Sequence, residues 1–132
     1  MKILGINSSP RRTSNTARLL SAVLEGAADS GCETEGISLS EYEILWCRGC
    51  ETCYRTGSCV ITDDLPEILG KILDADGIVL ASPNYINNVN ARMKALLDRM
   101  ADSIHCQRLL GKFCAAVSTA GGSGSGEVAA YL

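Results

Sequence analysis

Short apolar runs that alternate with stretches of helical period constrain the fold of this chain more than any other feature. Ile3 to Ile6, Gly77 to Ala81 and Phe113 to Ser118 read as strands, Gly77 to Ala81 as a compact apolar one bounded by Asp76 and Pro83. Thr34 to Leu39 reads as another strand, less apolar and so suited to a sheet edge. Between them, Asn15 to Ala28 carries Ala17, Leu19, Leu20, Val23, Leu24 and Ala27 at helical spacing, and Gly31 ends that helix. Leu65, Ile68, Leu69, Ile72 and Leu73 form a second stripe. Asp63 or Asp64 can cap it, and Pro66 falls in its first turn, where a missing N–H costs little. Helix returns from about Asn88 to Ser103, with Met93, Leu96, Leu97 and Met100 on one face, and starts again at Glu127. Strands alternating with helices specify an α/β fold, a doubly wound parallel sheet covered on both faces. At 132 residues the chain is one domain, 1–132, and its 46% apolar content supports a core and argues against disorder.

That topology locates a site. In open α/β sheets ligands bind beyond the carboxyl ends of the strands, at the switch point. The segments that follow strands here are Asn7 to Thr16, Ser82 to Val89 and Ser118 to Gly126. The first contains Ser8-Ser9-Pro10-Arg11-Arg12-Thr13-Ser14-Asn15-Thr16, dense in hydroxyls, backbone donors and guanidinium. Free N–H groups at a helix N-terminus favour an anion, and arginine adds fixed charge, so the loop suits a phosphate. An ordinary N-cap beside a solvated arginine pair is the competing account. Spacing excludes the common alternatives: there is no Gly-x-x-x-x-Gly-Lys-Ser/Thr, no Gly-x-Gly-x-x-Gly, and no cysteine followed after five residues by arginine. A phosphate loop of the mononucleotide flavin type is what remains. Gly121 to Gly126 is a flexible linker on composition alone, but its place after a strand raises the ligand reading.

Between the second strand and the following helix, from about Ser40 to Thr62, lies a cysteine-rich loop. Cys47, Cys50, Cys53 and Cys59 are separated by two, two and five residues. Zinc sites usually present two separated pairs. Three cysteines at three-residue intervals are closer to the way ferredoxins wrap thiolates around a [4Fe-4S] cluster. Iron-sulfur is therefore the first expectation and zinc the second. Seven cysteines are an odd number, which together with the reducing compartment expected below favours ligands and free thiols over a disulfide framework. Cys32, Cys106 and Cys114 share no such spacing and read as packing thiols. The single histidine, His105, reads as exposed or capping. Trp46, just before the cysteines, reads equally as a shield for a cluster or as packing.

A formal charge of -3 and a pI near 5.1 argue against nucleic acid or an anionic membrane as a partner. Residues 1 to 6 pass directly into polar loop, so neither a secretion signal nor a membrane span is expected, and the expected location is cytoplasmic.

Three separated motifs now stand in order: Ser9-Pro10-Arg11 with Ser14-Asn15-Thr16, the four cysteines followed by Asp63-Asp64, and Ser82-Pro83-Asn84-Tyr85. Together they resemble the iron-sulfur flavoproteins, a branch of the flavodoxin-like, NAD(P)H-dependent FMN reductases. The resemblance covers essentially the whole chain. It implies a flavodoxin-like sheet of five strands, of which the last strand and helix would be lacking here.

By position, the resemblance implies that Ser9, Arg11, Ser14, Asn15 and Thr16 hold the phosphate of FMN. Pro83, Asn84, Tyr85, Ile86 and Asn87 would flank the isoalloxazine, and Ser118, Thr119, Ala120, Gly121 and Gly122 would approach its pyrimidine end. Cys47, Cys50, Cys53 and Cys59 would each give one thiolate to a [4Fe-4S] cluster. No protein nucleophile or carboxylate pair is required, and Asp63 and Asp64 are read as helix caps. The implied function is electron transfer, from a one-electron carrier such as ferredoxin through cluster and FMN to a small acceptor, for example a quinone, an oxygen species or free flavin. The implied assembly is a homo-oligomer, a dimer or tetramer. Two alternatives stay open. One is an NAD(P)H-dependent FMN or quinone reductase without a functional cluster. The other is a non-catalytic, zinc-stapled FMN-binding module.

Overall fold

The computed structural model describes residues 1–132. Four strands form one all-parallel sheet: β1 (Lys2–Asn7), β2 (Glu33–Ser38), β3 (Gly77–Pro83) and β4 (Phe113–Thr119), in the order β2-β1-β3-β4. These are the first four places of the flavodoxin order. The helices are α1 (Asn15–Asp29), α2 (Thr52–Thr56), α3 (Leu65–Asp74), α4 (Ala91–Arg99), α5 (Ala101–His105) and α6 (Ser125–Tyr131). No helix is long and apolar enough to cross a membrane.

The two faces of the sheet are covered by different elements. Leu4, Ile6, Ile78 and Leu80 join Ile68 and Ile72 of α3, Met93 and Leu96 of α4 and Val128 of α6 in the larger core. The opposite face packs Ile3, Val79, Ala81 and Val117 against Leu20 and Leu24 of α1. Central strands buried on both faces read as continuous apolar runs, which is why β1 and β3 were legible without alternation. Gly5 lets α1 sit close to the sheet: a Cβ there would lie 2.8 Å from Leu24 Cδ1 and 3.0 Å from Leu20 Cδ1.

Several local readings are corrected. Leu19 and Val23 share the helical spacing of α1 but are exposed, because its apolar packing on the sheet is made by Leu20, Leu24 and Ala27. The single helix expected from Asn88 to Ser103 is two, starting after the N-cap Asn90 and dividing at Met100. There the backbone N–H bonds Leu97 O, three residues back, tightening the turn. The short helix α2 inside the cysteine loop was not foreseen. Cys114 and Cys106 are exposed rather than packed, and Cys32 is half-buried. Cys114 is open because β4 is an edge strand whose residues Phe113 to Ala116 are all exposed. The other edge is β2, as its weak apolar character suggested.

Candidate flavin cavity and cysteine loop

Parallel strands in register deliver their loops to one end of the sheet. Asn7 lies opposite both Ser38 and Ala81, so the loops after β1, β2 and β3 all leave from the same side. The loops after β1, β3 and β4 close around a cavity of about 360 Å³. Ser9, Arg11, Ser14, Asn15 and Thr16 line one side of it, Pro83, Asn84 and Tyr85 a second, and Thr119, Ala120 and Gly121 a third. Thr13 joins them, a residue the motif comparison had passed over. Ile86, Asn87, Ser118 and Gly122 do not line it.

Its geometry is set by hydrogen bonds between loops. The Ser9 N–H donates to Asn7 Oδ1 at 3.0 Å, and the Arg11 N–H donates to Ser9 Oγ at 3.3 Å, curling the first loop toward α1. Ser14 caps α1, its Oγ accepting from the Ala17 N–H at 3.1 Å. The hydroxyl proton of Ser14 remains free to donate outward. Thr16 and Thr119 share a hydrogen bond of 2.6 Å between their hydroxyls, joining α1 to the end of β4. After β3, the Asn84 N–H donates to Thr119 O at 2.8 Å, and Tyr85 pairs with Asn88 in a tight turn. The two tip residues, Ile86 and Asn87, have φ of 52° and 56°. Such left-handed pairs suit asparagine and glycine but strain a β-branched residue. Asn84 Nδ2 donates to Ser123 O at 2.7 Å, and Gly124 beside it has φ of 90°. A Cβ at Gly124 would press on the Asn84 and Asn87 side chains, and its left-handed φ favours glycine.

These residues fit a flavin phosphate and ring. The cavity is predominantly polar at the amino end of α1, where hydroxyls, free N–H groups and the Arg11 guanidinium converge as an anion requires. Asn84 Oδ1 is buried without a partner, an acceptor left open at a ligand-sized cavity. The Tyr85 ring is half exposed beside it.

The cysteine loop is built differently. Cys47, Cys53 and Cys59 line one smaller cavity with Gly49, Glu51, Tyr54, Asp98, Arg99 and Ala101, while Cys50 lies outside it and is exposed. No group of three or more His, Cys, Asp or Glu side chains is placed to hold a metal ion. The donor chemistry nevertheless suits thiolates. The Gly49 N–H donates to Cys47 Sγ at 3.4 Å, and the backbone N–H of Thr52 leads the contacts that hold the Cys50 thiol below its usual range. Burial, and then Asp102, push the Cys53 thiol up. Gly49 and Glu51 both take left-handed backbone conformations. His105 is exposed and packs edge-on against Tyr54, their ring centroids 5.2 Å apart, so it braces α2. Trp46 is 77% exposed, outside this cavity.

Neither Asp63 nor Asp64 caps α3 through its side chain in the way expected: Asp64 occupies the N-cap position without a side-chain cap bond, and Asp63 forms a turn just before the helix, its Oδ1 accepting from the Leu65 N–H at 3.2 Å. The same carboxylate forms a buried ion pair with Arg99, and Asp64 Oδ2 accepts from the Glu43 N–H at 2.7 Å without bonding α3. Sequence reading missed Arg99. Its signal was a cation three residues after Leu96, on the buried face of a helix, where a charge requires a partner.

The model of the NADPH-dependent FMN reductase family matches residues 1–132. An iron-sulfur flavoprotein of Archaeoglobus fulgidus is 39% identical over 133 residues, covering 100% of this chain and 60% of that protein. One from Methanosarcina thermophila is 40% identical over 131 residues, covering 96% of this chain and 67% of that protein. The chain therefore spans about 60% to 67% of the length of these relatives. Among solved structures, the NAD(P)H:quinone oxidoreductase of Methanothermobacter marburgensis superposes with a TM-score of 0.78 at 20% identity, over 93% of this chain and 65% of that one. At that identity the likeness concerns the fold. The family match over every residue, the relatives, and the convergence of three loops on one cavity agree: this chain belongs to the NADPH-dependent FMN reductase family, among its iron-sulfur flavoproteins.

Proposed function

We propose that this chain carries the FMN and [4Fe-4S] sites of an oxidoreductase that moves electrons from a one-electron carrier such as ferredoxin to a small acceptor. The observation that carries this reading is that the cysteine loop and the cavity-forming loops leave the sheet at the same end. Bound FMN exchanges one or two electrons and a [4Fe-4S] centre exchanges one, so the pair can link one- and two-electron partners.

The placement of the residues supports the following roles. Ser9, Thr13, Ser14, Asn15 and Thr16 supply neutral donors to the phosphate and Arg11 supplies charge. Pro83, Asn84 and Tyr85 form the wall for the ring, with Asn84 Oδ1 as an acceptor for a ring N–H. Thr119, Ala120 and Gly121 bring backbone close to the opposite edge. Cys47, Cys50, Cys53 and Cys59 would hold the cluster, with backbone N–H groups turned to the sulfurs.

A second reading, an NAD(P)H-dependent FMN or quinone reductase without a cluster, is favoured by the absence of a preassembled ligand group. Protein purified without oxygen separates the two. Iron, sulfide, zinc and FMN are counted beside visible and EPR spectra before and after dithionite. About four irons and four sulfides per chain, with a signal that appears on reduction, support the first reading. FMN with hydride uptake from NAD(P)H and no iron supports the second. Stoichiometric zinc without turnover supports a binding module instead. Cys50→Ser is expected to lose the cluster and keep FMN, because the two sites share no residue.

A further inference from the structure

The Arg99 and Asp63 side chains form an ion pair in which each is 1% exposed, and it closes the neck of the cysteine loop. Arg99 Nη1 donates to Asp63 Oδ2 at 2.7 Å and to Leu45 O at 2.8 Å, and Nη2 donates to Asp63 Oδ1 at 3.2 Å. The Leu45 N–H donates to Asp63 Oδ2 at 2.9 Å. Chain entering the loop at Leu45 and chain leaving it at Asp63 are thus held on one guanidinium.

A clamp of that kind uses Nη1 and Nη2 and leaves Nε over. Arg99 Nε is buried and has no partner. Arg99 also forms part of the wall of the cavity lined by Cys47, Cys53 and Cys59, and it is the one cation there. Asp63 is not in that wall, so of the pair Arg99 alone borders the cavity of the thiols. Glu51 and Asp98 are the carboxylates that share the cavity.

Building on the reading of the four cysteines as a cluster site, we propose that Arg99 is the cationic partner of that site, donating its Nε–H to sulfur and favouring the more negative, reduced state of the cluster. Hydrogen bonds to the sulfurs and local charge are the terms by which a protein sets such potentials.

The test is an EPR-monitored redox titration of protein purified without oxygen, with iron, sulfide and FMN counted. Three proteins are compared: the wild type, Arg99→Lys, and the double variant Arg99→Gln with Asp63→Asn. The double variant replaces the ion pair by a neutral hydrogen-bonded pair and leaves no carboxylate buried alone. The expected result is a tenfold weaker one-electron reduction in the double variant, a midpoint lower by about 59 mV, with FMN content unchanged. Arg99→Lys keeps the charge without the Nε donor and is expected to fall by less. If the double variant does not fold, the fall in Arg99→Lys decides the matter. A cluster-loaded wild type whose potential matches that of the folded variants overturns the assignment, reduces Arg99 to a clamp, and leaves the cluster reading intact. A wild type without iron and sulfide overturns the cluster reading and this assignment with it.

Discussion

Asn90 Nδ2 donates a hydrogen bond to Ser8 O at 2.7 Å, across 82 residues of sequence and inside the core. The same side chain caps α4, its Oδ1 accepting from the Met93 N–H at 3.1 Å, and its backbone N–H donates to Ser82 Oγ at 3.2 Å. One residue, 3% exposed, therefore holds the ends of β1 and β3 at the spacing the cavity requires.

Asn90→Asp separates these roles. The carboxylate keeps the cap but cannot donate to Ser8 O, and it places buried charge against a carbonyl. Losing a buried hydrogen bond and leaving its acceptor open costs about 1 to 3 kcal/mol. The expected outcome is a lower urea midpoint together with weaker FMN binding, measured by denaturation and by flavin titration. Unchanged flavin affinity would show that the spacing of the two loops does not govern the cavity.

Ser14 offers a cleaner separation of stability from binding. Ser14→Ala removes the cap of α1 and is expected to cost about 1 kcal/mol. Ser14→Asp retains a capping oxygen and complements the helix dipole, so thermal stability should hold. It also sets a negative charge in the wall of the proposed phosphate site, so FMN affinity should fall at least about tenfold, roughly 1.4 kcal/mol. Equal FMN affinity in Ser14→Asp and the wild type would place the phosphate elsewhere.

Ile86 is fully exposed and holds a left-handed conformation, with φ of 52°. Such strain in a β-branched residue costs of order 1 kcal/mol and is commonly retained where function needs the side chain. Ile86→Asn is expected to raise the stability of the flavin-free protein by about that amount. If the isoleucine packs on bound flavin, as the family motif implies, FMN affinity should fall by about tenfold with the loss of roughly 1.5 kcal/mol of apolar contact. Calorimetry of the flavin-free protein and a flavin titration check the two halves separately.

The Asp63 carboxyl carries a pH dependence. Burial pushes it up, but hydrogen bonds from Arg99, the Leu45 N–H and the Leu65 N–H together hold it below the usual carboxylate range. With its folded pKa depressed, its stabilising contribution is complete above the unfolded value of about 3.9 and disappears as pH falls through the folded value. Urea midpoints should therefore hold from neutral pH to about pH 5 and drop on further acidification. Asp63→Asn leaves Arg99 buried without its counter-ion and should cost about 3 to 5 kcal/mol at neutral pH. It should also show a smaller acid loss than the wild type; an equal loss would assign the transition to other carboxylates.

Local pattern determined the strands, the fold class and most of the residues that line the cavity at the carboxyl end of the sheet. Ile3 to Ile6 and Gly77 to Ala81 are apolar throughout because both faces of a central parallel strand are covered, and that signal needs no knowledge of neighbours. Ser9 to Thr16 and Pro83 to Tyr85 were legible for a related reason, since a parallel sheet sends every strand-to-helix loop to one end. The four cysteines announced themselves by spacing, but spacing said nothing of where each thiol stands, and the fold brings Cys47, Cys53 and Cys59 to one cavity while Cys50 remains outside. Arg99, Asp63 and Asn90 were decided by tertiary structure alone. Each joins segments far apart in the chain, Asp63 to Arg99 across 36 residues and Asn90 to Ser8 across 82, and desolvation gives such pairs their meaning only once the core has closed around them.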